Sequence, residues 1–185
     1  MISSRSKLYR CVLFAAGYLL CAGLTSSAQS ASTPEFPKGF VGYLNLQQGV
    51  VSDFKTTPDF YQIGFTFNPQ YTIVASRLRL GAQAGGHYTQ GRWGVQAGPT
   101  AALRLFDMRA GVFGTVLNVQ LTAGHFWGSF KQKLAGGGVQ AEIFQLFNLA
   151  FTGYRDYGND QWWIQSSLGF NIIKPKKKSS DPFNP

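Results

Sequence analysis

Between Arg92 and Phe106 the chain alternates residue by residue. Trp93, Val95, Ala97, Pro99, Ala101, Leu103 and Leu105 share one parity; Gly94, Gln96, Gly98, Thr100, Ala102 and Arg104 share the other. A period of two describes a β-strand with two unlike faces. The pattern recurs and predicts eight strands, over 40–51, 60–68, 77–89, 92–106, 117–130, 135–147, 148–157 and 161–173. The connections DFKTTPD, TQGR, FKQKL and YGND are polar and rich in turn formers. They follow every odd strand, so an up-and-down arrangement collects them at one end, here the far end. NPQYTIVAS, DMRAGVFGTV and a tight FN link fall at the other, together with both termini of the strand region.

The two faces differ in kind. One carries amides, hydroxyls and glycines: Gln62, Thr66 and Asn68, then Arg79, Gln83 and His87, then Asn118, Gln120 and Thr122, then Gln165 and Asn171, with Phe126 and Trp163 among them. Charges are scarce there. A solvent-facing sheet draws on Lys, Glu and Asp, and exposed edges need them against aggregation. A polar but nearly uncharged face suits the narrow lumen of a barrel, where amides and hydroxyls satisfy one another. The other face carries Leu, Val, Ile, Ala and Phe, with Tyr61, Tyr88, Trp93, Trp127, Trp162 and Phe170 toward the strand ends. Aromatics at the rims of an apolar band form the girdle of a membrane barrel. Lipid offers no partner to backbone N–H and C=O groups, so such strands must close on themselves.

The expected fold is therefore all-β, an eight-stranded antiparallel up-and-down transmembrane β-barrel over residues 39–173. Alternation alone fits a second reading: a soluble secreted β-barrel, apolar face inward, binding a small apolar ligand. Val95, Leu103, Leu121 and Ile164 discriminate, pointing out in the first and in toward the middle in the second. Pro99 has no N–H, so mid-strand it requires a bulge or a local break in the ladder.

The N-terminus adds a compartment. Arg5, Lys7 and Arg10 precede an apolar run from Cys11 to Leu24, followed by small Ser26 and Ala28. That is the form of a secretory signal peptide cut near Ala28, and the run is shorter than the roughly 20 residues of a spanning helix. The expected divisions are signal peptide 1–28, linker 29–38, barrel 39–173 and basic tail 174–185. Both cysteines, Cys11 and Cys21, leave with the signal, so neither a disulfide nor a Cys-ligated metal is expected. The formal charge of +9 is concentrated at Lys174, Lys176, Lys177 and Lys178. These could meet lipid headgroups or form a solvated end. The strands are poor in Lys and Arg, and the chain is exported, so no nucleic acid is expected as a partner.

Signal peptide, eight alternating strands, aromatic girdles and the closing SSLGFNII resemble the small outer-membrane β-barrel proteins of Gram-negative bacteria, the OmpA/OmpX-like group, including barrels of the Bacteroidota type. The resemblance implies an outer-membrane location and contact with membrane lipid and lipopolysaccharide. It also implies an envelope protein as partner, and insertion by the outer-membrane assembly machinery. That machinery reads the last strand, where Ser167, Gly169 and Ile172 match part of its signal. The chain departs from the family by continuing beyond Ile173.

Chemistry is sparse. Lipid A deacylases share this architecture and use His, Ser and an acid; this chain offers His125, Ser129 and Glu142. Parity puts His125 and Ser129 outward and Glu142 inward, and a triad needs its members within hydrogen-bond reach. Neither a catalytic residue nor a cofactor is expected. His87 lacks the carboxylates or thiols of a metal site, and no metal is expected. The lumen network is expected to comprise Arg79, Gln83, Gln96, Arg104, Gln120, Glu142 and Gln165. Arg79, Arg104 and Glu142 form its charged part, because buried charges need partners. Such a network plugs the barrel or, in a weaker variant, gates a narrow pore. The expected function is structural or interactive, in the cell envelope.

Overall fold

A computed structural model describes residues 39–55, 59–75, 77–110 and 114–173. The expected signal peptide, linker and lysine tail lie outside the described residues. Eight strands follow in order: β1 (Phe40–Ser52), β2 (Phe60–Val74), β3 (Leu78–Thr89), β4 (Arg92–Ala110), β5 (Gly114–Gly128), β6 (Lys133–Ile143), β7 (Phe147–Asp156) and β8 (Gln161–Ile173). Each pairs antiparallel with its sequence neighbours, and β1 pairs with β8 to close the barrel. Closure leaves no open sheet edge.

Alternation settles which side each residue faces. Gln83, Gln96 and Gln165 are buried inside, while Val95, Leu121 and Ile164 are exposed outside. The apolar face is the outer one, so the arrangement with an apolar interior is not the one the chain adopts. Leu103 shares the outward parity and is half-buried.

Three strands reach further than the pattern suggests. NPQYTIVAS was expected as a connection, yet β2 runs through Pro69 to Val74. The β2–β3 ladder simply skips that stretch, with Phe67 opposite Ala84 and then Gln70 opposite Gly81 in unchanged register. Pro99 behaves alike on the β4–β5 side, where the ladder passes from Ala97–Trp127 to Thr100–Gly124. In both places the missing N–H interrupts the ladder without shifting it. The bulge lies elsewhere: between Arg104 and Phe106 the register shifts, so Leu105 and Phe106 are both exposed. Most of DMRAGVFGTV belongs to β4 and β5.

The β6–β7 turn is at 144–146 rather than at FN. Phe144 and Gln145 there have φ of 51° and 55°, the paired positive φ of a type I′ turn. Gln90–Gly91 and Phe130–Lys131 repeat that geometry at the far end. Gly136, Gly137 and Gly138 lie inside the β6 ladder, opposite Tyr154, Gly153 and Thr152.

Candidate functional site

Polar side chains from all around the barrel converge in its interior, which has three levels. At the far end Val51, Phe126, Leu134, Tyr154 and Trp163 form an apolar plug, with Phe60 packed against it. Size matters more than polarity here. Glycines on the inner face clear the space: a Cβ on Gly124 would meet the Phe126 ring at 2.5 Å, and one on Gly94 would meet His87 Nε2 at 2.6 Å. His87 is fully buried, stands edge-on to Trp163 at 5.0 Å, and shares a hydrogen bond with Gln132 through Nε2 at 3.3 Å. No cluster of metal-binding side chains surrounds it among the described residues.

The middle level is amide and hydroxyl. Gln165 donates to Gln62 at 3.0 Å, Thr100 to Asn68 at 3.1 Å and Asn148 to Asn45 at 3.2 Å. Gln83 lines the same space, and Gln96 is buried as well. The open space among these side chains is about 30 Å³, room for a few water molecules and nothing larger.

At the terminal end one carboxylate is surrounded. Glu142 accepts from the Tyr43 hydroxyl at 3.0 Å, from Asn118 Nδ2 at 3.1 Å and from Gln120 Nε2 at 3.3 Å. Arg79 Nη1 donates to the Tyr43 hydroxyl at 2.6 Å and pairs with Glu142 at 3.6 Å. Arg79 and Glu142 side chains are each 3% exposed. Four strands thus meet on one charge pair: β1, β3, β5 and β6. Charge-assisted hydrogen bonds of this kind are what make a buried ion pair tolerable.

Arg104 is placed differently from the expected network. Its guanidinium pairs with Asp107 three residues on, at 3.5 Å, and is 15% exposed. The bulge at Leu105 is responsible, because it returns Asp107 to the inner parity beside Arg104, opposite Asn118. Tyr43, which bridges Arg79 and Glu142, was missed by the sequence reading. Its inward parity with Asn45 and Gln47 on β1 could have found it.

The outer face is equally ordered. Leu44, Leu46, Ile63, Phe65, Val95, Leu121, Val139, Leu149, Phe151 and Leu168 are exposed around the middle of the barrel. Among the described outward-facing strand positions the charged residues are Lys133 and Arg155, both in the far-end rim. Of the six expected girdle residues, Tyr61, Tyr88, Trp93, Trp127 and Trp162 ring the far end, and Phe170 alone lies at the terminal end. Phe40, Tyr71, Phe106 and Phe147 complete that second rim. Far-end rim aromatics have polar partners: the Tyr61 hydroxyl donates to Gln48 at 3.1 Å, and the Arg155 guanidinium lies 5.4 Å from the Trp162 ring centre.

His125, Ser129 and Glu142 do not come together. His125 bonds the Tyr157 hydroxyl and packs edge-on to Trp127 at 4.4 Å. Ser129 Oγ accepts from the Val95 N–H at 3.1 Å. Glu142 is inside, at the other end.

No family model matches the chain, and no curated protein does. Among solved structures, one from "De novo design of transmembrane beta-barrels" is 11% identical, with a TM-score of 0.45 over 78% of this chain and 100% of that one. The solution NMR structure of the de novo designed TMB2.3 is 13% identical, with a TM-score of 0.44 over 72% of this chain and 97% of that one.

Proposed function

We propose that the protein is an integral membrane β-barrel with a closed lumen, and that its role in a Gram-negative cell envelope is structural or interactive. One observation carries the reading. The outer surface is a continuous apolar band with Trp and Tyr at its far rim, wrapped around an interior of amides and one buried ion pair. A soluble monomer rarely exposes an apolar patch larger than a few hundred Å². In lipid the same surface is matched to its surroundings, Trp and Tyr sit where apolar and hydrated layers meet, and a closed ladder satisfies the backbone.

The closed lumen follows from the three levels. An apolar plug seals one end, the Arg79–Glu142 pair fills the other, and the space between is far too small for a solute. The signal-like start of the chain and the partial Ser167, Gly169 and Ile172 match support export and outer-membrane insertion, with lipid, lipopolysaccharide and an envelope protein as contacts. The catalytic alternative has little support, because His125 and Ser129 are engaged with Tyr157 and Val95 rather than with each other or an acid.

The test is cell fractionation with electrophoresis of unheated and heated samples. A membrane barrel remains in the outer-membrane fraction after carbonate washing and migrates as a compact species until heated. Release by carbonate, with no shift on heating, would overturn the reading. Planar-bilayer recording adds a second arm, in which single-channel conductance would rule out the closed lumen.

A further inference from the structure

On the outer wall near the far end, β2 to β5 frame a groove of about 620 Å³, within the roughly 300–1,000 Å³ of small-molecule sites. Its origin is a local loss of bulk. Ala84, Gly86 and Ala97 form the floor; Phe65, Val95 and Trp127 form the walls. Phe65 reaches over the Gly86 backbone so closely that a Cβ there would stand 3.3 Å from its ring. The groove runs to the Ser129–Gln132 turn, which is fixed to β4 by Ser129 N–H donating to Val95 O at 2.9 Å.

What surrounds its far-end mouth is cationic. Lys133 lies directly across the ladder from Trp127 on the same outer face. Lys131 is exposed in the turn, and the Arg92 guanidinium is 6.0 Å from the centre of the Phe130 ring. Among the described residues none of these three has an ion-pair partner. The far-end acids near them are committed: Asp156 is buried and accepts from the N–H groups of Lys133, Gly158 and Asn159, and Asp160 pairs with Arg155 and Lys55.

We infer that this groove binds one molecule of an anionic phospholipid, its acyl chain lying between Phe65 and Trp127 and its phosphate among Arg92, Lys131 and Lys133. The inference rests on the membrane reading above and goes beyond it. An apolar trough alone would accept any tail; three unpaired cations at its mouth select a headgroup of negative charge.

Trp127 reports on the site. The folded full-length barrel is reconstituted in phosphatidylcholine bilayers containing either brominated phosphatidylglycerol or brominated phosphatidylcholine. The fluorescence quenching lost in Trp127→Phe is the signal. Brominated phosphatidylglycerol should quench Trp127 at lower mole fraction than brominated phosphatidylcholine. Arg92→Gln, Lys131→Gln and Lys133→Gln should each weaken that preference by about fivefold. Ala97→Leu, a substitution on the exposed outer face, should abolish it by filling the trough, and the heat-induced gel shift verifies that each variant is folded. Equal quenching by the two lipids, or a preference that survives Ala97→Leu, would overturn the site. So would a Trp127 shielded from both lipids while the outward Trp93 and Trp162 are quenched, since a second copy would then cover the groove. Absence of quenching at all three outward tryptophans, Trp93, Trp127 and Trp162, would instead overturn the membrane reading itself.

Discussion

The two ends of the lumen are closed by opposite means. At the far end the seal is volume: Val51, Phe126, Leu134, Tyr154 and Trp163 fill the bore with aromatic and aliphatic side chains. At the terminal end it is charge, with Glu142 held by Tyr43, Asn118, Gln120 and Arg79. The apolar plug needs neighbours without side chains, and inner-face glycines such as Gly94 and Gly124 supply that room. The charged closure needs partners from several strands, and gets them from β1, β3, β5 and β6. A plug of the first kind tolerates small changes in shape by repacking. One of the second kind fails abruptly when a partner is removed, because a buried charge left alone is far more costly than a small cavity.

The largest expected effect tests that contrast. Glu142→Leu leaves the Arg79 guanidinium buried without its counter-charge and should cost about 3–5 kcal/mol, read as a lowered midpoint of urea unfolding in lipid vesicles. Adding Arg79→Met removes the stranded charge, so the double variant should be more stable than Glu142→Leu alone. If the second substitution merely adds to the loss, the pair is not what closes this end.

Truncation in the apolar plug comes next. Leu134 is 1% exposed and packs within the plug. Leu134→Ala removes buried volume without stranding a charge and should cost about 2–5 kcal/mol, depending on how far Phe126 and Trp163 collapse into the space. Leu134→Met, which keeps the volume, should cost less than about 1.5 kcal/mol. An equal loss in the two variants would mean that shape, rather than volume, sets this seal.

The charged closure was the more legible of the two from sequence. Arg79 and Glu142 stand out because an acid and a base on the inner parity of strands have few alternatives. Arg104 is inward by the same count; what the count missed is Asp107, which the bulge at Leu105 returns to the inner face as its partner. A bulge in the middle of an apolar run such as Leu103–Leu105–Phe106 leaves no mark in composition. Tyr43 was harder to see because Gln47 and Gln48 blur the alternation of β1. Trp163 and Phe126 could be assigned inward by parity, but parity does not reveal that they cluster, since that depends on the stagger between β5 and β8. Rim aromatics were legible as a class. Strand order alone places Tyr61, Tyr88, Trp93, Trp127 and Trp162 at the far end; the terminal-end rim was less legible, because β2 proved longer than its alternating core and Tyr71 lies in a stretch expected as a connection. The turn at Phe144–Gln145 escaped notice because it adopts type I′ geometry without the Asn-Gly signature that usually announces it, whereas Phe130–Lys131, with the same geometry, lies in the polar FKQKL connection.

The two ends differ in their loops as well. At the far end Asp156 organises the β7–β8 connection: its Oδ1 accepts from Lys133, Gly158 and Asn159 N–H groups at 3.0, 2.9 and 3.2 Å, and Oδ2 accepts from Asn159 Nδ2 at 2.9 Å. Asp156→Ala orphans these donors and should cost about 1–3 kcal/mol. The loss should appear as faster hydrogen exchange at residues 157–160, with the terminal end unchanged. A uniform increase throughout the barrel would assign Asp156 to global rather than local stability.

The smallest effect has the opposite sign, and it sharpens the contrast between the two ends. The terminal-end turn has no counterpart of Asp156. It is held by backbone hydrogen bonds, Leu146 N–H to Ile143 O at 3.0 Å and Asn171 N–H to Leu146 O at 2.8 Å. Its central residues adopt positive φ without a glycine, at a cost of about 1–2 kcal/mol for a residue with a Cβ. Gln145→Gly keeps those backbone bonds, and keeps the carbonyl that accepts from Asn171 Nδ2 at 3.3 Å, while relieving the strain. Glycine also widens the unfolded ensemble, which offsets part of the gain. The net expectation is a stabilisation of about 0.5–1 kcal/mol in the same urea titration. The matched substitution at the far end, Gly91→Ala, should destabilise, because Gly91 already occupies the left-handed region at φ 73°. Were Gln145→Gly to weaken the barrel, the Gln145 side chain would have to contribute more than the strain its backbone carries, and this turn would join Asp156 among the side-chain-organised connections.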